Sequence, residues 1–394
     1  RSPAARARCP PCARGDGGVP TRDRGAVKVL LSGTAGPFGW PEPACGCVSC
    51  SRLSPGHRVP TSIVLDDMVR LAPPAGLPLA APAALPKGYR MTVTPDGHAV
   101  SGPDRGRVLH AVAPEEEDRG DPSPSWAEDA YDLVLIDLLD RPQRLGDLRR
   151  RGLVAARTQV VAVHLDHRLP SEAELARRLA FWGAHAVDDG TILDTRHLPP
   201  PRPAPPRRTL ILGGARSGKS AEAELRLIAE PDVTYVATGP TGRRDPDWLA
   251  RVRAHQRRRP PYWTTIETTE LATLLRTATG PLLIDGMGTW LTAVFDGCGA
   301  WGDPAHDRPR GRKPGRFTTA LDAVAARCDD LVAAWRQTRA QVVAVTDEVG
   351  LSVVPATASG RVFRDALGRL NQRLAAESEE STLVVAGRPI ALTG

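Results

Sequence analysis

The run Gly213-Gly-Ala-Arg-Ser-Gly218-Lys219-Ser220 directly follows a short apolar stretch, Thr209–Leu212, and opens a helix-forming segment that reaches Ile228. The string fits the Walker A pattern, and a place between a strand and a helix is the context in which that pattern grips phosphate. Few chain geometries satisfy it. Backbone N–H groups of Gly213, Gly214, Ala215, Arg216, Ser217 and Gly218 must converge on an anion, with glycine wherever a side chain would block the approach. Lys219 then places charge at the β- and γ-phosphates, Ser220 offers a hydroxyl to Mg²⁺, and the positive end of the new helix adds to both. Asp285, which closes the apolar run Leu282–Ile284, is a second candidate for Mg²⁺, directly or through water. A plain strand-end turn residue would occupy the same position.

Downstream, Val233–Thr238, Pro281–Asp285, Val342–Thr346 and Thr382–Ala386 read as short strands. Helices are expected near Pro246–Arg258, Thr318–Thr338 and Val362–Ala376. This alternation predicts an α/β fold of the P-loop NTPase kind, a mostly parallel sheet with helices on both faces. Upstream, the prolines of Leu198–Arg208 cannot sustain a helix or an interior strand, so 198–207 is expected to be a stiff, exposed linker. It divides a domain at 26–197 from the P-loop domain at 208–394. In the earlier domain Val27–Leu31, Ser62–Leu65, Tyr89–Val93, Leu133–Ile136 and Thr158–Val163 read as strands and Ser171–Phe181 as a helix. Leu71–Pro86 and Ala113–Pro124 read as loops. Residues 1–25, rich in Arg, Pro and Gly without an apolar core, suggest a disordered leader rather than a secretory signal.

With 394 residues, 41% of them hydrophobic and 25% charged, the composition is that of a soluble two-domain protein, and no apolar stretch approaches the ~20 residues of a bilayer span. The net charge of +7 raises the question of nucleic acid. Much of the excess arginine lies in the leader and in Asp303–Arg316, and no nucleic-acid-binding pattern accompanies it, so polyanionic small molecules are the expected partners. Seven cysteines, an odd number clustered at one end, do not form a disulfide framework and point to a reducing cytoplasm.

Further pieces stand in order after the P-loop: Tyr235-Val-Ala-Thr238, Arg251-Val-Arg-Ala-His255 with Arg259-Pro260 and Trp263, Thr346-Asp-Glu-Val-Gly350 with Val354-Pro355, and Phe363-Arg-Asp with Gly368-Arg-Leu-Asn-Gln-Arg-Leu374. With Gly213–Ser220 they make Thr209–Leu392 resemble the bifunctional adenosylcobinamide kinase/adenosylcobinamide-phosphate guanylyltransferase family of cobalamin biosynthesis. The chain departs from that family where its paired His is Ala254-His255, where its strand-end Glu is Asp285, and in an insertion at Gly297–Arg316. The resemblance implies two reactions. ATP or GTP phosphorylates adenosylcobinamide, and His255 then attacks the α-phosphorus of GTP and passes GMP to adenosylcobinamide phosphate. It also implies nucleotide contacts at Ala237, Thr238, Gly239, Gln256, Arg257, Arg258, Arg259 and Glu267, and a homo-trimer. Read from the residues alone, His255 shares a helix face with Trp248 and Val252 and would be an ordinary packed or solvated histidine. A neutral imidazole is nonetheless a competent nucleophile, and the arginines beside it could neutralise phosphate charge.

The earlier domain, through Leu31-Ser-Gly33-Thr34-Ala-Gly36, Gly39-Trp-Pro41, Cys45-Gly-Cys47-Val-Ser-Cys50, Leu133–Asp137, Val161-Ala-Val-His164 and Asp189-Gly190, resembles the metallo-β-lactamase-like hydrolases. An active member needs a His-x-His-x-Asp-His cluster for two metals. The nearest string, Ala162-Val-His164-Leu-Asp166-His167, lacks the first His and comes late in the chain, which implies a degenerate domain without a dinuclear centre. Cys45, Cys47 and Cys50 could supply soft ligands to a structural Zn²⁺, with His57 or His197 as fourth, or could be plain buried thiols. Two other functions are compatible with the residues: a P-loop kinase or NTPase acting on another alcohol, with His255 structural, and a nucleotide-gated binding protein.

Overall fold

The structure is a computed structural model that describes residues 27–72, 85–112, 129–199, 204–239, 258–302 and 316–392. The expected leader, the loop segments at 73–84 and 113–128, much of the helix at 246–258 and most of the insertion lie outside these residues.

The N-terminal half holds two sheets. Strands β1 (Lys28–Gly33), β2 (Ser62–Leu65), β3 (Val69–Ala72) and β9 (Thr191–Asp194) form an antiparallel sheet in the order β3-β2-β1-β9. The second sheet runs β4 (Arg90–Thr94), β5 (Gly97–Ser101), β6 (Arg107–Ala111), β7 (Leu133–Ile136), β8 (Gln159–Ala162), antiparallel as far as β6 and parallel beyond. All four residues of β7 are buried because the strand is covered on both faces. Leu133 and Leu135 meet Val29, Leu31 and Ile63 of the first sheet. Val134 and Ile136 meet Leu145 and Leu148 of α1 (Gln143–Arg150) and Leu175 and Leu179 of α2 (Glu172–Trp182). Helix α2 starts where the Ser171 hydroxyl accepts the Glu174 N–H and stops at Gly183, whose φ of +61° suits a residue without Cβ.

The C-terminal half is one seven-stranded sheet in the order β12 (Thr264–Glu267), β11 (Thr234–Ala237), β13 (Leu282–Asp285), β14 (Val342–Asp347), β10 (Arg208–Gly213), β15 (Glu380–Val385), β16 (Arg388–Ala391). All neighbours are parallel except the terminal hairpin β15–β16. One face carries α4 (Leu271–Thr277), α5 (Met287–Cys298), α6 (Arg316–Gln337) and α7 (Ala358–Ala376), packed through Leu271, Trp290, Leu331, Trp335 and Leu370. The other carries α3 (Lys219–Leu227), whose Ala223 and Leu227 rest on Ile211, Leu283 and Val343. This is the mixed α/β architecture expected, a largely parallel sheet flanked by helices. No helix among the described residues is long and apolar enough to cross a membrane.

The two halves are packed together despite the prolines that join them. Leu225, Ile228 and Ala229 belong to the same apolar cluster as Leu145, Leu148 and Trp182, so α3 is enclosed between its own sheet and helices α1 and α2. Its Glu222, Glu224 and Arg226 are buried as a result.

A stack of three histidines crosses the second N-terminal sheet. His98 and His110 are paired across β5 and β6, and the His110 Nε2 lies 3.1 Å from Nε2 of His164. Burial, aided by the neighbouring His164, His98 and Arg144, holds the His110 pKa well below its ordinary value, and burial lowers that of His164 against the opposing charge of Asp137. Both rings therefore take up protons less readily in the folded chain than in the unfolded one, where they titrate near pH ~6.5. The unfolded state then binds more protons, so stability falls with pH below ~6.5, by up to about 1.4 kcal/mol per pH unit for each histidine. Melting temperatures at pH 7.5 and 5.5 are expected to fall further in the parent than in His110→Leu, and equal falls would contradict this assignment.

Candidate functional site

The carboxyl ends of the parallel strands define the site. In register, Glu267 lies beside Ala237, Ala237 beside Asp285, and Gly213 beside Asp347. Four of the residues singled out from the sequence thus share one sheet edge with Asp347, the kind of crevice where open α/β sheets bind ligands. β10 has β14 on one side and β15 on the other, and the chain leaves it through the P-loop.

The loop geometry explains its glycines. A Cβ on Gly213 would fall on Ser217 Oγ and 2.8 Å from the Val384 carbonyl oxygen. Gly218 has φ of +98° and abuts Gly387, whose N–H donates to the Ser217 carbonyl at 2.7 Å, so the β15–β16 turn braces the loop from behind. Arg216 takes the left-handed region at φ +57°, and Gly214 opens on free space. At the first turn of α3, Lys219 Nζ lies 3.0 Å from Asp347 Oδ1 and donates to the Gly214 carbonyl at 3.2 Å. The Ser220 hydroxyl donates to Asp285 Oδ1 at 3.2 Å. The Tyr235 hydroxyl donates to Asp285 Oδ2 at 2.7 Å, and burial together with that carboxylate raises the phenol pKa far above its ordinary value, keeping it a donor. Lys219, Ser220, Asp285 and Asp347 thus face one another where a nucleotide's phosphates and a divalent cation would sit.

Asp347 was not singled out from the sequence as the partner of Lys219, although it closes an apolar strand in the same manner as Asp285. Asn371 on α7 fixes its backbone: the amide accepts from the Thr346 hydroxyl at 2.7 Å and donates to the Asp347 carbonyl at 3.0 Å. Thr238 is placed differently from the other candidates. Its side chain is buried, with the hydroxyl bonded to the Gly286 carbonyl and to Thr289, so it shapes the turn after Asp285. Arg259 lies over the Tyr235 ring, 3.6 Å from the centroid, and Arg258 Nε donates to Glu224 of α3 at 2.9 Å. Both line the same quarter of the domain. Glu267 is exposed at the end of β12, and Gly239 follows β11. His255, Gln256 and Arg257 lie outside the described residues.

A separate constellation sits in the N-terminal half. Ligand atoms of Cys45, Cys47, Cys50 and His167 all lie within 4.8 Å of one another. His167 Nδ1 is 3.3 Å from Cys45 Sγ and 3.6 Å from Cys50 Sγ. Ligands at Zn–S ~2.3 Å and Zn–N ~2.0 Å on a tetrahedron stand about 3.5 Å apart, so the donor set fits that ion. The Cys50 N–H donates to Cys47 Sγ, which lowers the Cys47 pKa, while burial raises that of Cys50 to about 11. The imidazole gathered with the thiols is His167, a correction of the expected His57 or His197. His57 is committed to Glu172 at 2.9 Å, and the His197 backbone is tied to Asp194 and Gln159. Two carboxylates of the hydrolase-like strings, Asp137 and Asp166, converge with Asp140 on one cation, Arg168, at 3.1, 2.8 and 2.5 Å.

Fold and loop together define an α/β domain of the P-loop kind joined to a second α/β unit. Residues 209–392 match the family described as cobinamide kinase / cobinamide phosphate guanyltransferase, and through them the chain belongs to that family. Among its relatives are the bifunctional adenosylcobalamin biosynthesis proteins CobU of Salmonella typhimurium, 36% identical over 45% of this chain and 95% of the relative, and CobP of Pseudomonas aeruginosa, 36% identical over 48% and 98%. The CobU protein of Escherichia coli is 35% identical over 45% and 95%. A solved diphosphatase of the PhnP family aligns with 43% of this chain and 97% of its own at 14% identity and a TM-score of 0.30, too distant a likeness to carry an argument.

Proposed function

We propose that residues 208–394 carry out two successive transfers in cobalamin biosynthesis. ATP or GTP first phosphorylates the aminopropanol hydroxyl of adenosylcobinamide; GMP is then moved from GTP to adenosylcobinamide phosphate, giving adenosylcobinamide-GDP and pyrophosphate. The observation that carries this reading is the convergence of Lys219, Ser220, Asp285 and Asp347 on one sheet edge in a chain of this family.

In the first transfer the P-loop amides and Lys219 hold the triphosphate, and Lys219 leaves Asp347 for the β- and γ-phosphates. Ser220 and Asp285 would hold Mg²⁺, which would supply charge neutralisation at those phosphates. In the second, the His255 ring nitrogen bonds to the α-phosphorus as the bond to pyrophosphate breaks. A phosphate oxygen of the corrinoid then displaces the imidazole, which is regenerated. Support for His255 comes from its place four residues before Arg259 and from the family's reactive histidine. His255→Asn is expected to lose GMP transfer by at least about a thousandfold while phosphorylation continues. Incubated with GTP and adenosylcobinamide, this variant should accumulate adenosylcobinamide phosphate. Undiminished formation of the GDP product would remove His255 from the chemistry.

The Cys45, Cys47, Cys50 and His167 cluster holds one structural Zn²⁺ in this reading, supported by the spacing of its donor atoms. Elemental analysis of the full chain is expected to find one zinc, lost in His167→Ala and kept in His57→Ala. Retention of zinc by His167→Ala would contradict the ligand set.

A further inference from the structure

Helix α3 begins with Lys219 and Ser220 and continues into the packing of the N-terminal half. Trp182 of α2, fully buried, donates its indole N–H to the Leu225 carbonyl at 2.8 Å. Arg149 of α1 ties the two halves at one point, donating to the carbonyls of Ala229 at 2.8 Å and Trp182 at 2.6 Å. Arg177 of α2 donates to Glu222 at 2.7 Å, Glu222 also accepts from Arg226, and Arg226 reaches Glu380 of β15. This chain of charges crosses from the N-terminal half through α3 into the sheet. At Gly146, α1 abuts Tyr262 and the turn that follows α3: a Cβ there would fall on the Tyr262 hydroxyl and 2.9 Å from the Glu230 carbonyl oxygen. Tyr262 itself donates to the Gln143 carbonyl at 2.9 Å and lies under Arg150, just after Arg258 and Arg259.

We infer that the N-terminal half is a positioning element for the nucleotide site, holding the P-loop helix and the segment 258–263 in one fixed relation through Gly146, Arg149, Arg177 and Trp182. The physical reason is leverage. A helix moves as a rigid rod, so a shift at Leu225–Ala229 carries Lys219 and the loop amides with it, and a displacement of about 1 Å at a reacting group can cost about a hundredfold. Held only on its sheet side, α3 would keep that freedom. Buried ion pairs add direction to the contact, because moving either partner strands a charge away from water. Arg177 and Trp182 act through α3, Arg149 through the turn that follows it, and Gly146 through that turn and Tyr262.

The inference rests on the proposed nucleotide chemistry, and its test separates the two. Binding of a fluorescent GTP analogue with Mg²⁺ is measured first on the parent, and a parent that binds none refutes the nucleotide reading before any variant is made. Gly146→Val, which must open the contact at Tyr262 and Glu230, is expected to raise Kd at least about tenfold. Amide exchange should accelerate at 219–227, while that of β6, β7 and β8 stays as in the parent. Arg177→Met, which cuts the tie to Glu222 across the halves together with the pair to Glu174 within α2, should do the same to a smaller degree, and it decides the matter alone if Gly146→Val does not fold. A Kd within twofold of the parent, with α3 exchanging faster, would overturn the inference.

Discussion

The enclosure of α3 between two bodies is the constraint from which the rest of the structure follows. Its first turn carries Lys219 and Ser220 directly after the P-loop, and its outer face ends in the apolar cluster of the other half. That double burial accounts for an otherwise costly composition. Glu222, Glu224 and Arg226 are withdrawn from water, which is unfavourable for any lone charge, yet each meets an opposite charge in Arg177, Arg258 or Glu380. Such networks contribute little net stability, but they disfavour every arrangement except one. The same helix therefore joins the halves and sets the geometry of the phosphate loop.

At the other end of the loop the electrostatics are arranged in advance. Asp347, fixed through Asn371, holds the Lys219 ammonium over the mouth of the P-loop, and Asp285 holds the Ser220 hydroxyl. The cation and the hydroxyl are already gathered there, and in the proposed function a triphosphate would need only to replace carboxylate partners with phosphate ones. The hairpin turn at Gly387 closes the loop from behind.

Much of the nucleotide half was legible because its signals are local. A P-loop is eight consecutive residues, and β10, β11, β13, β14 and β15 are apolar runs bounded by turns. What escaped was settled by packing. β5, β6 and β9 are four or five residues long and carry polar members such as His98 and Arg107, while α1 has a mostly polar sequence. Helix α3 itself reads from its Glu and Arg as a surface helix, since nothing in the string announces a second partner. His167 stands well over a hundred residues from Cys50 and was noticed only as part of an incomplete hydrolase string; the turn after β8 brings it to the thiols. Asp347 needed only the strand-end reasoning applied to Asp285. Thr238 belongs to a family-like string, yet its hydroxyl serves the backbone at Gly286.

The central claim is that one P-loop domain binds GTP and carries its GMP on a histidine. It is tested most directly by incubating the full chain with Mg²⁺ and GTP labelled at the α-phosphorus, without any corrinoid, and mapping the label. The account predicts an acid-labile, alkali-stable label on the peptide containing His255, absent from Lys219→Ala. A chain that binds GTP yet stays unlabelled, or a label on any other residue, would contradict it.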